Sequence, residues 1–254
     1  MKDRTKNEQI KEAEAAKLEA SVFNFQKYYK TKESESPMHY KTILFDLDGT
    51  ITDSGEGIIN SVIYALKKMN LNVPNQNDLF SFIGPPLSDS FKNLYHLDDQ
   101  FTEQAVGYYR EYYQAKGMYE NHLYEGILEV LTDLQQAGCT LYIATSKPEI
   151  YAKQILAHFK LDRYFVGIYG ASLNGERSKK GDVIRYALNS AGITDLNKTL
   201  MIGDRSHDMI GAKENRLACI GVLYGFGDQV ELETAGADYI AETPEDIEKI
   251  ILEK

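Results

Sequence analysis

Along the chain, short and uniformly apolar runs alternate with stretches whose apolar residues recur every three or four positions. Thr42-Ile43-Leu44-Phe45 is the first such run, and it stops at Asp46-Leu47-Asp48-Gly49-Thr50. Its length and its β-branched and aromatic content predict a buried strand. Leu141–Ala144 follows the turn Ala137-Gly138 and ends at Thr145-Ser146. Phe165–Tyr169, Leu200–Ile202 (ending at Gly203-Asp204) and Cys219–Leu223 complete a set of strands. Helical spacing fills the gaps over Ile127–Gln136, Ile150–Phe159, Asp182–Ser190 and Asp208–Asn215. Strands alternating with helices predict an α/β fold, a Rossmann-like doubly wound parallel sheet. A ligand site then lies beyond the carboxyl ends of the strands, where the polar residues of these runs stand.

Residues 54–122 break the alternation. Gly57–Met69, Leu87–Leu94 and Asp99–Lys116 have helical patterns with no convincing strand among them. The stretch is too long for a βα connection, so it is expected to be an inserted helical cap. Residues 38–53 and 123–254 then form the α/β core. Tyr108, Tyr109, Tyr112 and Tyr113 fall at spacings that place them along one broad helix face, expected to pack inside the cap. Ile83-Gly84-Pro85-Pro86 reads as a turn between cap helices. Residues 1–37 are an accessory segment or linker, with a weak helical pattern over Ile10–Phe23 and a polar end, KTKESESP.

Composition narrows the functions open to this fold. Of 254 residues, 43% are hydrophobic and 26% charged, which excludes a collagenous or wholly disordered chain. The net charge of −10 argues against nucleic acid as a partner. No apolar stretch is long enough to span a membrane, and the charged start lacks a secretory signal's apolar segment. Cys139 and Cys219, the two cysteines, are expected as buried free thiols in a cytoplasmic protein.

The acids at the strand ends carry the chemistry. Two residues apart on a strand, Asp46 and Asp48 are expected to leave the same face. Two close carboxylates separate in pKa, so one can stay ionised as a nucleophile while the other holds a proton. Asp204 and Asp208 flank another strand end. Several carboxylates at one sheet edge need a cation, and oxygen ligands with no His or Cys cluster favour Mg²⁺. Turn formation or helix capping explains any one of these acids, Asp208 above all. It does not explain polar residues at several strand ends beside apolar strand bodies.

The run FDLDGTITDS, then IATS, a downstream lysine and IGDRSHD, in that order, resembles the haloacid-dehalogenase-like hydrolase superfamily over about residues 40–240. The helical insertion looks like that family's C1 cap, and within it Ile83-Gly84-Pro85-Pro86 matches a substrate-specificity loop of capped relatives as readily as a plain turn. The resemblance is strongest to phosphoglycolate-phosphatase-like members, among them 5′-nucleotidases. It implies that Asp46 is a nucleophile forming an aspartyl-phosphate, and that Asp48 is the general acid and base. It implies Mg²⁺ held by the Asp46 carboxylate, the Asp48 main-chain carbonyl and Asp204, with Asp208 holding a metal-bound water or orienting Lys180. Gly49, Thr50, Thr145 and Ser146 would bind phosphate. The family's Lys-Pro-x-Pro is replaced here by Arg177-Ser178-Lys179-Lys180-Gly181-Asp182. Lys180 is preferred as the motif lysine and Lys179 is the alternative. Lys147 stands close enough to the second motif to meet phosphate, and His207 is left without a role.

The expected activity is a cytoplasmic Mg²⁺-dependent phosphatase of small phosphate monoesters, monomeric or homodimeric. Phosphoglycolate leads and a nucleoside 5′-monophosphate is the main rival. A sugar-phosphate mutase and a non-enzymatic phospho-receiver module are the remaining readings.

Overall fold

The structure, a computed structural model, describes residues 40–252; the segment 1–37 and its helical pattern lie outside the described residues. In chain order the elements are β1 (Thr42–Phe45), β2 (Thr52–Asp53), α1 (Gly55–Lys68), a 3-10 turn (Gln76–Phe82), α2 (Leu87–Tyr95), α3 (Asp99–Ala115), β3 (His122–Leu123), α4 (Ile127–Gln136), β4 (Thr140–Pro148), α5 (Glu149–His158), β5 (Gly167–Ala171), α6 (Lys180–Ala191), β6 (Thr199–Gly203), α7 (Ser206–Glu214), β7 (Ala218–Val222), α8 (Gln229–Thr234), β8 (Tyr239–Ala241) and α9 (Pro244–Leu252).

Six strands form one sheet in the order β5-β4-β1-β6-β7-β8, every pair parallel. The uniformly apolar runs are explained by burial on both faces. Ile43 and Phe45 of β1, Leu141 and Ile143 of β4, and Leu200 and Ile202 of β6 point to one side. There they meet Val130, Leu134, Ile155 and Ile247 of α4, α5 and α9. Leu44, Tyr142, Met201 and Cys219 point to the other, against Val183, Ile184, Met209 and Leu232 of α6, α7 and α8. The period of two thus supplies two hydrophobic layers from one set of strands. Each fully buried Leu, Ile or Phe in them contributes about 1.5–3 kcal/mol.

Structure and expectation differ at particular elements. The strand expected over Phe165–Tyr169 is Gly167–Ala171; Tyr164 closes a 3-10 turn that delays it. The chain after Leu223 adds an edge strand, β8, and two helices, α8 and α9. Cys219 is buried, but Cys139 is only half-buried; both are free.

Residues 54–122 fold as helices α1–α3 around their own core, with Ile59, Val62, Leu66, Leu79, Phe82 and Phe91 at its centre. Asp98 caps α3, its side chain accepting from Phe101 N at 2.8 Å. The chain enters and leaves this segment through one antiparallel ribbon, β2 with β3, which pairs Thr52 with Leu123 and Asp53 with His122. The ribbon begins two residues beyond Thr50, beside the tip of β1.

Candidate active site

β1 ends at Phe45, so Asp46 and Asp48 sit in the turn beyond the strand and not on it. Asp46 N makes the last sheet bond, to Ile202 O at 2.9 Å. The chain then folds back sharply, Gly49 N bonding Thr52 O at 2.8 Å and Thr52 N bonding Leu47 O at 3.0 Å. The expectation that the two side chains share a strand face is therefore corrected: the turn sends them to different lysines. Asp46 Oδ1 lies 2.7 Å from Lys180 Nζ. Asp48 Oδ1 accepts from Lys147 Nζ at 2.7 Å.

Three acids converge. Asp46, Asp204 and Asp208 each offer a carboxylate oxygen within 4.8 Å of the others, and all three are buried. Asp208 also caps α7, its Oδ2 accepting from Arg205 N at 3.1 Å. The capping explanation is thus correct for one of its oxygens, while Oδ1 lies 2.7 Å from Lys180 Nζ. Lys180 opens α6 and reaches inward, donating also to Ala144 O at 3.1 Å. Lys179 beside it is exposed.

One lysine does not neutralise three buried carboxylates. Burial pushes the Asp46 carboxyl up to about 6; Lys180 opposes the shift and Asp208 adds to it. Burial, then Asp208 and Asp46, hold Asp204 well above the usual carboxylate range. Burial alone would lower Lys180, but Asp208 and Asp46 outweigh it and raise its pKa. A bound cation would relieve the cluster. Asp48 contributes no side chain to it, and only its main-chain carbonyl is expected to serve a metal.

The flanking residues leave the acids little freedom. Thr50 Oγ1 donates to Asp204 Oδ1 at 3.4 Å and Phe226 N donates to Asp204 Oδ2 at 2.9 Å. Gly49 has φ +81°, and a Cβ there would stand 2.1 Å from Asp204 Oδ2. Gly49→Ala is therefore expected to displace Asp204 and to strain the turn. A thermal melt should show a lower Tm; a wild-type value would show that the turn absorbs the methyl group.

Thr145 stands near the end of β4, its Oγ1 accepting from Lys147 N at 3.2 Å. A register shift between Thr145 and Pro148 bends the strand there. Thr145 and Ser146 line a cavity of about 190 Å³ together with Asp46, Asp48, Lys147 and Lys180. Its opposite wall comes from the helical segment: Phe82, Pro85, Pro86, Leu87, Val106 and Tyr109. Gly84 and exposed His207 are also at its edge.

The four tyrosines do not share one environment. Tyr112 packs on Tyr64 of α1 and Tyr108 lies near Lys68, both within the helical segment. Tyr109 and Tyr113 stack on each other at 5.4 Å between centroids and turn to the cavity. α3 is sandwiched between α1 and the site, so two of its faces are apolar. Residues that the sequence left without a role at the site include Tyr151, Arg205 and Phe226. The Gly225-Phe226-Gly227 turn after an apolar strand was the available signal for the last.

Residues 43–222 match the family described as Haloacid dehalogenase-like hydrolase. A protein named 5′-nucleotidase from Pseudomonas aeruginosa is 47% identical over 198 residues, 78% of this chain and 89% of its own length. A phosphoglycolate phosphatase from Agrobacterium fabrum is 30% identical over 217 residues, 82% of this chain and 93% of the relative. The crystal structure of a predicted phosphatase from Clostridium acetobutylicum covers 85% of this chain and 100% of its own, with 50% identity and a TM-score of 0.82.

Proposed function

The chain belongs to the haloacid dehalogenase-like hydrolases, and on that premise we propose that it is a Mg²⁺-dependent phosphatase of nucleoside 5′-monophosphates. The observation that carries the reading is the placement of Asp46: a buried carboxylate beside Lys180, facing a cavity whose far wall is apolar and aromatic.

Asp46 attacks phosphorus and the alcohol leaves, giving an aspartyl-phosphate. Asp48 gives its proton to the departing oxygen. In the second step Asp48 takes a proton from the water that attacks the aspartyl-phosphate, and phosphate and free Asp46 result. Lys180 holds Asp46 and Asp208 in place while negative charge accumulates. Gly49, Thr50, Thr145 and Ser146 surround the phosphoryl oxygens, and residues 54–122 act as a cap that excludes water from the first step.

The acid cluster fits a divalent cation. Its donors are hard oxygens, one lysine pairs with only two of the three carboxylates, and two of the three have carboxyl groups pushed upward by burial and by the neighbouring acids. Asp46, Asp204 and Asp208 would hold it, with the Asp48 main-chain carbonyl. Bound there, Mg²⁺ supplies charge neutralisation between an anionic nucleophile and an anionic phosphate.

Phosphoglycolate leads on sequence alone; the cavity wall favours the nucleotide. A carboxylate in the leaving group would need a cation, and three of the four Lys and Arg side chains lining the cavity already pair with a carboxylate, while Arg110 has a main-chain carbonyl as its partner. Lys147 holds Asp48, Lys180 holds Asp46 and Asp208, Arg205 holds Glu231, and Arg110 donates to Leu173 O. The flat face of Tyr109 and the neighbouring prolines suit a sugar and a base. With Mg²⁺ present, kcat/KM for nucleoside 5′-monophosphates is expected to exceed that for phosphoglycolate at least tenfold, read as inorganic phosphate released. The reverse order would return the assignment to phosphoglycolate. Release that requires a bisphosphate primer would identify a mutase.

A further inference from the structure

Arg205 follows Asp204 in the chain and its charge still acts on that acid, yet its guanidinium makes its hydrogen bonds elsewhere. Its backbone N–H is fixed to Asp208 Oδ2. Its guanidinium runs the other way, Nε donating to Glu231 Oε1 at 3.0 Å and Nη1 donating to Ile83 O at 2.7 Å. Glu231 Oε1 also accepts from Ser206 N and Ser206 Oγ, each at 2.8 Å. Three donors on one oxygen fix the carboxylate, and the carboxylate fixes the direction of the arginine. Ile83 itself is buried in the hydrophobic layer shared with the sheet.

The loop that Arg205 holds is the cavity wall Gly84-Pro85-Pro86. Gly84 has φ +105°, and a Cβ there would lie 3.3 Å from Arg205 Cγ, so the loop rests on the arginine stem. A second contact joins the 3-10 turn just before this loop to Asp204: the Phe80 ring lies 6.1 Å from the Phe226 ring, and Phe226 N donates to Asp204 Oδ2. The wall that meets the leaving group and the loop that carries Asp204 are therefore registered to each other through Arg205.

We propose that Arg205 is a positioning residue for leaving-group selectivity: it sets the distance between the phosphoryl site and the Pro85-Pro86 wall. This rests on the phosphatase reading above. Ile83 offers a main-chain carbonyl, so the register depends on the arginine and Glu231 and not on the side chain at position 83. Guanidinium suits the task because Nε and Nη1 point to different partners from one rigid plane, which an ammonium cannot copy.

The test compares wild type, Arg205→Met and Glu231→Gln with three probes: a nucleoside 5′-monophosphate, p-nitrophenyl phosphate, and inorganic phosphate as inhibitor. Arg205→Met keeps the apolar stem and removes both donors. It is expected to raise KM for the nucleotide about tenfold, which corresponds to about 1.4 kcal/mol. The selectivity for nucleotide over p-nitrophenyl phosphate should fall by a similar factor, with phosphate inhibition changed less than twofold. Glu231→Gln should move the same ratio in the same direction by a smaller factor. Restoration of the ratio in Arg205→Lys would contradict the two-partner geometry. An equal loss on both esters, a raised inhibition constant for phosphate, or an unchanged ratio would overturn the proposal. Absence of phosphate release by the wild-type chain would instead sink the phosphatase reading. A thermal melt of each variant separates misfolding from these outcomes, and Glu231→Gln carries the test if Arg205→Met does not fold.

Discussion

Asp46→Asn is expected to abolish turnover, lowering kcat by about 10⁴-fold or more, the scale seen when a nucleophile is removed. The amide nearly preserves the volume of the carboxylate but cannot displace an alcohol from phosphorus. The same substitution should stabilise the metal-free protein. Burial holds the Asp46 carboxyl at about 6 in the folded chain against an ordinary 3.8. A carboxyl raised on folding binds its proton more tightly in the folded state. It therefore lowers stability as pH climbs from about 4 through 6, and that loss persists at neutral pH. The amide has no such proton to lose. In chelator, Asp46→Asn should melt higher than wild type at pH 7, and the gap should close toward pH 4. Substantial phosphatase activity in the folded variant would remove Asp46 from the nucleophile's role. A lower Tm at pH 7 would show that the pairing with Lys180 outweighs the cost of burial.

Removal of divalent metal is the second large effect. Excess chelator is expected to stop phosphate release and added Mg²⁺ to restore it, because Asp46, Asp204 and Asp208 face one another and Lys180 pairs with only two of them. The thermal melt gives a readout independent of turnover. A ligand at a hundredfold excess over its Kd stabilises by about 2.7 kcal/mol. For a domain of this size that is a rise in Tm on the order of 5–10 °C. Asp204→Asn should lose most of the rise. Full activity in excess chelator, or a Tm indifferent to Mg²⁺ in the wild type, would exclude a cation from this cluster.

How much of this was legible in the sequence depends on what each residue obeys. β1, β6 and β7 were readable because strands buried on both faces must be apolar throughout, and α4 because its apolar face repeats every three to four residues. The boundaries of β5 were not, since Phe165 is buried before the strand begins and counts as apolar either way. β8 lies at the sheet edge, half-buried, and has too short an apolar signature to stand out. Among the acids, Asp46, Asp204 and Asp208 converge where separate strands end, which topology alone foretells. The ion pair of Asp48 with Lys147 could not be read, because it depends on the bend at Thr145. Nor could the division of the tyrosines: spacing places Tyr109 and Tyr112 on a helix, but only the neighbours of α3 decide which looks into the cavity.

The ribbon of β2 with β3 has a consequence for how such a protein diversifies. Asp53 and His122 are opposite one another, so the whole helical segment departs and returns through a gap no wider than a hairpin. Genetic exchange at that doorway would swap one helical segment for another without altering the spacing of the sheet or its acids. On the reading proposed above, selectivity would then be shared: the segment would bring the side chains of the cavity wall, and Arg205 and Glu231 of the core would set how that wall meets the acids.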